Sequence, residues 1–455
     1  MFSKILVANR GEIALRVVRA IRELGLKSVA VYSEADRESL HVRQADQSVC
    51  IGPGPSAKSY LNVEALLDAA SRTGAEAVHP GYGYLAESGA FARACRDAGL
   101  VFIGPEPDTL DKAGDKILAK AMVHRAGVPV VPSSPAGVTS AEEAASVASE
   151  IGYPVMIKAA AGGGGRGIRI CEDEKNLRED FAVARAEVRA AFGDDTLYIE
   201  KCLVDPRHVE FQILADRHGS VTHLGERECS IQRRYQKLIE EAPSTALTPA
   251  LRQAMGRAAV QAAQAVEYRN AGTVEFLLDR EGNFYFMEIN ARIQVEHPVT
   301  EMVTGKDLVK EQIRLAAGDK LGYSFEDLNL RGWAIECRIN CEDPDRNFLP
   351  SPGTIETYHP PGGFGVRVDS HLYQGYELPV FYDSLVAKLI GYDLTRDGAI
   401  RVVRRALQEF TIRPVKTTIP LFLKILDDEA FQKGDIHTGT IRRFVPDDDE
   451  EDEEA

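Results

Sequence analysis

No stretch of the 455 residues approaches the ~20 consecutive apolar side chains of a membrane span, and the apolar part of the opening MFSKILVANRGEIA is too short for a secretion signal. Lysine and arginine form no clustered stripe, which argues against nucleic acid or an anionic membrane as a partner. The net charge of -15 is partly local: positions 447–454 are all carboxylates, and without those eight the body carries about -7. That tail, 447–455, is too charged to bury and is expected to be disordered and solubilising. Seven cysteines show no repeating close pair, and Cys337 and Cys341 have no second Cys/His pair beside them. This fits neither a disulfide framework nor a zinc site, and reads as reduced thiols in a soluble, cytoplasmic protein. The length exceeds what one hydrophobic core usually supports, so two or three domains sharing a cleft are expected.

From Lys4 to about Ile103 the chain alternates short apolar runs with amphipathic stretches: KILVA, EIALRVVRAIREL ending at Gly25, SVAVY, AEAVHP and LVFIG. Strand, helix, strand in this order predicts a parallel, doubly wound sheet. No G-x-G-x-x-G follows the first strand, so the dinucleotide fingerprint is absent, and Asn9-Arg10-Gly11 reads as a tight strand-to-helix turn. A helix is predicted over 115–126, closed by Gly127, with the extended VPVVP behind it as a hinge. A small unit follows, holding a helix near 141–150, the strand YPVMIKA, a glycine loop, the strand GIRIC, a long helix and the strand LYIEK. Its size suits a mobile lid. From Asp205 onward HVEFQILAD, SVTHL, AGTVEFLLD and NFYFMEIN predict a largely antiparallel sheet, with helices near 249–265 and 307–317.

The glycine loop Gly162-Gly163-Gly164-Gly165-Arg166-Gly167 lies between a strand carrying Lys158 and one starting at Ile168. Glycines let backbone N–H groups approach phosphate oxygens, and a plain linker seldom joins two short apolar strands, so phosphate binding is favoured. No Lys-Ser/Thr follows, so this is not a Walker A loop. Lys116 and Lys158 are point charges suited to oxyanions. Glu275 in GTVEFLLD and Glu288 in FYFMEIN, with 279–283 able to turn the chain, are expected to meet on a hairpin. With the Asn290 amide oxygen they offer Mg²⁺ a set of hard ligands. Arg292-Ile293-Gln294-Val295-Glu296 then concentrates a guanidinium, an amide and an acid, the groups a small planar anion such as bicarbonate would need.

The stretches HPGYGYLAE, GYPVMIKAAAGGGGRG, PRHVEFQ, ERECSIQRRYQKLIEEAPS, MEINARIQVEHPVTE, ECRINCEDP and FLPSPG resemble the biotin carboxylase family of the ATP-grasp superfamily, from the first residues to about Phe444. The resemblance implies an α/β and α+β chain. Its parts would be an N-terminal Rossmann-like domain (1–114), a helix and hinge (115–131), an ATP-grasp lid (132–203), and a C-terminal ATP-grasp and mixed or antiparallel β domain (204–446). It implies that Lys116, Lys158, Gly163, Gly164, Gly165, Arg166, Gly167, Glu200, Lys201, Leu203, His208 and Gln232 hold ATP, and that Glu275, Glu288 and Asn290 hold Mg²⁺ or Mn²⁺. Bicarbonate would lie against Lys237, Arg292, Gln294, Val295 and Glu296, and biotin would meet Arg338 with Tyr82 close by. Catalysis would fall to Arg292, Glu296, Lys237 and Arg338. One departure is Tyr235, standing where some relatives carry a histidine that contacts the nucleotide; its ring and hydroxyl could still pack against or hydrogen-bond ATP. No Met-Lys-Met tripeptide occurs, so biotin is expected on a separate carrier protein. Carboxyltransferase subunits are the further partners implied, with acetyl-CoA as the leading acceptor and pyruvate or propionyl-CoA as the alternative. A homodimer is expected, with VFYDSLVAKLI near Asp383 resembling the family's subunit contact.

Overall fold

The computed structural model describes residues 2–160, 168–192 and 195–445. The glycine loop from Gly163 to Gly167 and the acidic tail therefore lie outside the described residues. In the N-terminal part, β1 (Lys4–Val7), β2 (Lys27–Tyr32), β3 (Gln47–Cys50), β4 (Ala77–His79) and β5 (Val101–Phe102) pair in parallel in the order β3-β2-β1-β4-β5. Helix α1 (Gly11–Glu23) buries Ile13, Ala14, Val17, Val18 and Ile21, the one-sided spacing that marked it as amphipathic. The turn before it is held structurally. Asn9 donates to the Pro80 and Tyr82 carbonyl oxygens at 2.7 Å, and Arg10 pairs with buried Asp36 at 2.6 Å.

Four further helices lead to the hinge: α2 (Leu40–Gln44), α3 (Val63–Thr73), α4 (Gly89–Asp97) and α5 (Pro107–Gly114). Helix α6 (Lys116–Arg125) starts at an Asp115 cap that accepts from the Ile117 and Leu118 amides. The small unit that follows folds α7 (Ala141–Ile151) and α8 (Glu174–Phe192) onto a three-stranded antiparallel sheet of β6 (Val155–Ala159), β7 (Arg169–Cys171) and β8 (Leu197–Lys201). It has its own apolar core, including Ala144, Ala148, Val155, Ile157, Leu177 and Phe181.

Most of the remainder is organised by one antiparallel sheet of eight strands. These are β9 (Arg207–Ala215), β10 (Val221–Arg233), β11 (Gln236–Ala242), β12 (Asn270–Leu278), β13 (Phe284–Asn290), β14 (Trp333–Asn340), β18 (Val366–Ser370) and β19 (Leu385–Asp393). Between β14 and β18 the short strands β15 (Glu342–Asp343), β16 (Leu349–Pro350) and β17 (Thr357–His359) form minor ladders, β17 with β20 (Thr411–Arg413). The sheet order is β13-β12-β9-β10-β11-β14-β19-β18. Helices α9 (Pro249–Ala265), α10 (His297–Thr304), α11 (Leu308–Ala317) and α12 (Arg396–Glu409) cover it.

Strand alternation decides where the site lies. On β9 the side chains of Val209, Phe211 and Ile213 pack with Val274 and Phe276 of β12 against α9. His208, Glu210 and Gln212 point to the opposite face, whose Leu214 joins the core shared with α1 and α11. A polar row is thus set between the large sheet and the N-terminal domain. Strand β10 runs well beyond the expected SVTHL, through the charged ERECSIQR. That stretch forms a strand because its buried charges find partners, Glu226 with Arg252 and Arg227 with Glu210.

Candidate active site

Strands β9 and β12 both read Val-Glu-Phe, and their antiparallel register sets Glu210 opposite Glu275; Glu275 in turn faces Glu288 on β13. The valines and phenylalanines of β9 and β12 are buried on the α9 side, so three acids on neighbouring strands line up toward the cleft. The hairpin expected for Glu275 and Glu288 is formed, turning through Asp279 and Asn283, whose backbones pair at 2.9 Å.

Three carboxylates converge on one ammonium. Lys237 Nζ lies 2.6 Å from Glu210 Oε2, 2.8 Å from Glu275 Oε1 and 2.7 Å from Glu296 Oε1. Burial would lower Lys237, but Glu210, Glu275 and Glu296 outweigh it and raise its pKa well above the ordinary lysine value. Burial likewise opposes the charge on Glu275, yet Lys237 and His208 hold it well below the carboxylate range. For Glu296 the same contest is won by Lys237, Arg338 and Arg227, which hold it well below the carboxylate range. Glu210 is the exception, raised because burial is only partly offset by Arg227 and Lys237.

The other expected residues attach to this centre. His208 Nε2 contacts Glu275 Oε2 at 2.9 Å, and Gln232 Nε2 reaches His208 Nδ1 at 3.4 Å. Asn290 and Gln294 donate to Glu275 Oε1 at 2.8 and 3.2 Å. Arg292 donates to Gln294 Oε1 at 2.8 Å, to Asn290 Oδ1 at 3.2 Å and to Glu87 Oε2 at 2.9 Å. Arg338 spans Glu240 Oε1 at 2.5 Å and Glu296 Oε2 at 2.9 Å. The Val295 carbonyl accepts from Lys388, which pairs with Glu12, the acceptor of the Tyr82 hydroxyl. Biotin-side and bicarbonate-side candidates therefore belong to one network.

Lys116 pairs with Glu288 at 3.0 Å, and Glu200 is shared by Lys158 and Lys120. Burial and the neighbouring charge of Lys116 bring Lys158 down to about 8. Lys120 is pushed down as well, by burial and by Lys158 and Lys116, so three lysines against Glu200 and Glu288 leave a site that an anion would complete. The Lys201 ammonium is taken by the Gly152 and Tyr153 carbonyl oxygens at 2.8 and 2.9 Å, with Leu203 two residues further on. Tyr235 sits in the β10–β11 turn, 45% exposed and with φ of 63°, at the rim rather than inside the network.

Glu87, Lys120, Glu210, Arg227 and Glu240 were not among the residues the sequence singled out for the site. The repeated Val-Glu-Phe held the signal for Glu210. Arg227 is fully buried, bonded to Glu210, Gln212, Thr273 and Thr300, and braces the row from behind. For a divalent cation, Glu275, Glu288 and Asn290 give hard oxygen donors at adjacent strand positions, the donor class that magnesium takes.

Comparisons with known proteins accord with this geometry. Residues 1–110 match "Biotin carboxylase, N-terminal domain", residues 115–324 match "Carbamoyl-phosphate synthase L chain, ATP binding domain", and residues 336–443 match "Biotin carboxylase C-terminal domain". The chain is 55% identical to Biotin carboxylase 1 of Bacillus subtilis, over 98% of this chain and 99% of that one. It is 54% identical to a pyruvate carboxylase subunit from Methanothermobacter thermautotrophicus, covering 98% and 90% of the two chains. Among solved structures, it superimposes with a TM-score of 0.95 at 52% identity on the biotin carboxylase domain dimer of Hydrogenobacter thermophilus 2-oxoglutarate carboxylase, in complex with MgADP, ADP and bicarbonate. That match covers 97% of this chain and 98% of the other.

Proposed function

The chain belongs to the biotin carboxylase family of ATP-dependent ligases, and we propose that it carboxylates the biotin of a separate carrier protein through the residues assembled on Lys237. Its substrates are ATP, bicarbonate and biotin. The observation that carries the assignment of roles is the convergence of Glu210, Glu275 and Glu296 on Lys237, with Arg338 on the second oxygen of Glu296.

Bicarbonate lies against Lys237, Arg292, Gln294 and Val295, and Glu296 takes its proton. Held by two cations, Glu296 is a weak base. An anion bound beside Lys237 and Arg292 draws on those cations, so Glu296 gains basicity as its substrate arrives. Deprotonated bicarbonate attacks the γ-phosphate to give carboxyphosphate and ADP. Carboxyphosphate releases CO₂, and the phosphate left behind accepts the ureido proton of biotin. Arg338, already fixed by Glu240, offsets the charge that develops on the ureido oxygen before the ring nitrogen attacks CO₂. Lys116 and Lys158 receive the phosphates, with the loop from Gly163 to Gly167 as the further candidate. His208, Gln232, Glu200, Lys201 and Leu203 complete the nucleotide site, and Tyr235 borders it. Glu275, Glu288 and Asn290 would hold Mg²⁺ or Mn²⁺, which when bound offsets triphosphate charge. The unit over 132–203 acts as the lid that excludes water from carboxyphosphate.

Among the described residues no helix is long and apolar enough to cross a membrane, and all seven cysteines are unpaired, which supports a reducing, cytoplasmic setting. The partners we assign are a biotin carboxyl carrier protein, carboxyltransferase subunits and a second copy of this chain. The strand half of VFYDSLVAKLI lies inside the sheet between β14 and β18, so any contact between copies there falls on Val380 and Phe381, which are 73% and 51% exposed. Acetyl-CoA is the acceptor we favour, read from relatives named biotin carboxylase; the pyruvate carboxylase relative, at 54% identity, makes pyruvate the second reading. Identification of the co-purifying carboxyltransferase decides between them.

The test is bicarbonate-dependent carboxylation of free biotin by the wild type, Glu296→Ala and Arg338→Ala. Each variant is expected to bind ATP and to lose on the order of 10²–10³ in product formation. Normal product from either removes that residue from its role.

A further inference from the structure

Beside Arg338 lie two acids, Glu240 and Glu336, to which the proposed chemistry gives no proton. Antiparallel pairing sets Glu240 of β11 directly opposite Glu336 of β14, so both side chains leave the same face of the sheet. Arg338 is two residues along β14 and Lys388 of β19 is its register partner, which puts all four on that face. Glu240, Glu336 and Lys388 are each 0% exposed. Arg338 Nε donates to Glu240 Oε1 at 2.5 Å, but among the described residues Glu240 Oε2 and both oxygens of Glu336 have no hydrogen-bond partner.

Two facing carboxylates in a fully buried layer are not both ionised unless cations compensate them. Those available are limited. Lys388 donates to the Val295 carbonyl and pairs with Glu12, while Arg338 is divided between Glu240 and Glu296. Lys237 lies on the Glu296 side and already faces three acids. His297 on α10 is buried and kept neutral by that burial and by Lys388. The register sets the two unpartnered carboxyls opposite one another, where one shared proton would serve both. Burial, ahead of every neighbouring charge, raises Glu336 well above the carboxylate range and Glu240 to about 7.

We propose that Glu240 and Glu336 share one buried proton, and that this proton removes one of the three negative charges that would otherwise surround Arg338, strengthening its pull on charge that develops in the cleft. With both acids ionised, Arg338 would be enclosed by Glu240, Glu296 and Glu336, and its attraction for a developing oxyanion would be cancelled. The pair acts through Arg338 and touches no substrate, so Glu240 and Glu336 are positioning residues. The functional half rests on the reading that Arg338 meets the ureido oxygen of biotin; the proton itself does not.

Two measurements on the intact chain separate these halves. Infrared difference spectra of wild type against Glu336→Gln are expected to contain a protonated-carboxyl band at pH 7 that disappears as pH rises. A wild type without that band, or a band unchanged in the variant, overturns the shared proton whatever the enzyme does. The second measurement is the ratio of biotin carboxylation to bicarbonate-dependent ATP cleavage without biotin, from pH 6 to 9. In the wild type it is expected to fall up to tenfold per pH unit above the apparent pKa of the pair. In Glu336→Gln, whose amide replaces the shared proton, it should stay flat, with carboxylation at pH 7 within threefold of wild type. A variant that follows the wild-type fall, or that binds ATP but makes no carboxybiotin at pH 7, overturns the role assigned to the pair. A wild type that carboxylates no biotin at any pH instead refutes the reading of Arg338, while the infrared band still judges the pair.

Discussion

Replacing Lys237 with methionine keeps most of its apolar stem and removes the one ammonium that Glu210, Glu275 and Glu296 share at 2.6, 2.8 and 2.7 Å. Breaking a buried pair by deleting one partner costs about 3–5 kcal/mol, because a charge is left uncompensated. The cost depends on pH in a direction fixed by the pKa shifts. In the wild type, Glu275 and Glu296 are held below their unfolded values, chiefly by Lys237 against the effect of burial. Their stabilisation is therefore present above the unfolded pKa of ~4.3 and lost as pH falls through the folded values. Without Lys237, burial is opposed only by His208 at Glu275 and by Arg338 and Arg227 at Glu296, so both acids move up. The variant then loses more stability as pH rises than the wild type does. At pH 8 the unfolding midpoint of Lys237→Met should be lower by about 6–10 °C, taking ~2 °C per kcal/mol. At pH 5.5, with the acids able to take up protons, the deficit should be less than half of that. Thermal unfolding of both proteins at the two pH values is the assay. An equal deficit at both would refute the argument, since loss of packing alone has no reason to depend on protons.

Lys158, held at about 8 by burial and Lys116, is partly neutral at pH 8; binding of ATP without metal should take up a fraction of a proton, and calorimetry in buffers of different ionisation enthalpy reads it. No uptake would mean that Lys158 does not meet the phosphates. Glu288→Gln removes a hard donor and the partner of Lys116 at 3.0 Å, so the Mg²⁺ concentration for half-maximal ATP cleavage should rise by on the order of tenfold or more, with unfolding little changed; an unaltered Mg²⁺ titration would take Glu288 out of the metal set. Phe276→Ala opens the fully buried cluster between the sheet and α9 and should cost about 3–5 kcal/mol in a denaturant titration without changing the pH dependence of activity.

The elements were legible where local rules decide them. Helix α1 followed from the spacing of Ile13, Val17 and Ile21, α6 from the stretch 115–126 closed by Gly127, and the parallel N-terminal sheet from its alternation of runs. The hairpin of Glu275 and Glu288 was legible for the same reason, two apolar strands either side of one short turn. What escaped were residues whose neighbours come from distant strands. Glu226, Arg227 and Glu228 stand out in ERECSIQ as a polar cluster with no role assigned, and each is buried on β10. Arg227 is satisfied by Glu210, Gln212, Thr273 and Thr300, none of them local. A buried charge carries no apolar periodicity, so its cost is met by partners that only the sheet order β12-β9-β10 supplies. The same holds at the far end of the site. Glu336 and Arg338 stand out in ECRIN, but Glu240 becomes part of their chemistry only because β11 lies beside β14. Acids that read as surface when taken singly become a cleft when the register sets them face to face, and the charge each one carries there is decided by how many cations the neighbouring strands bring.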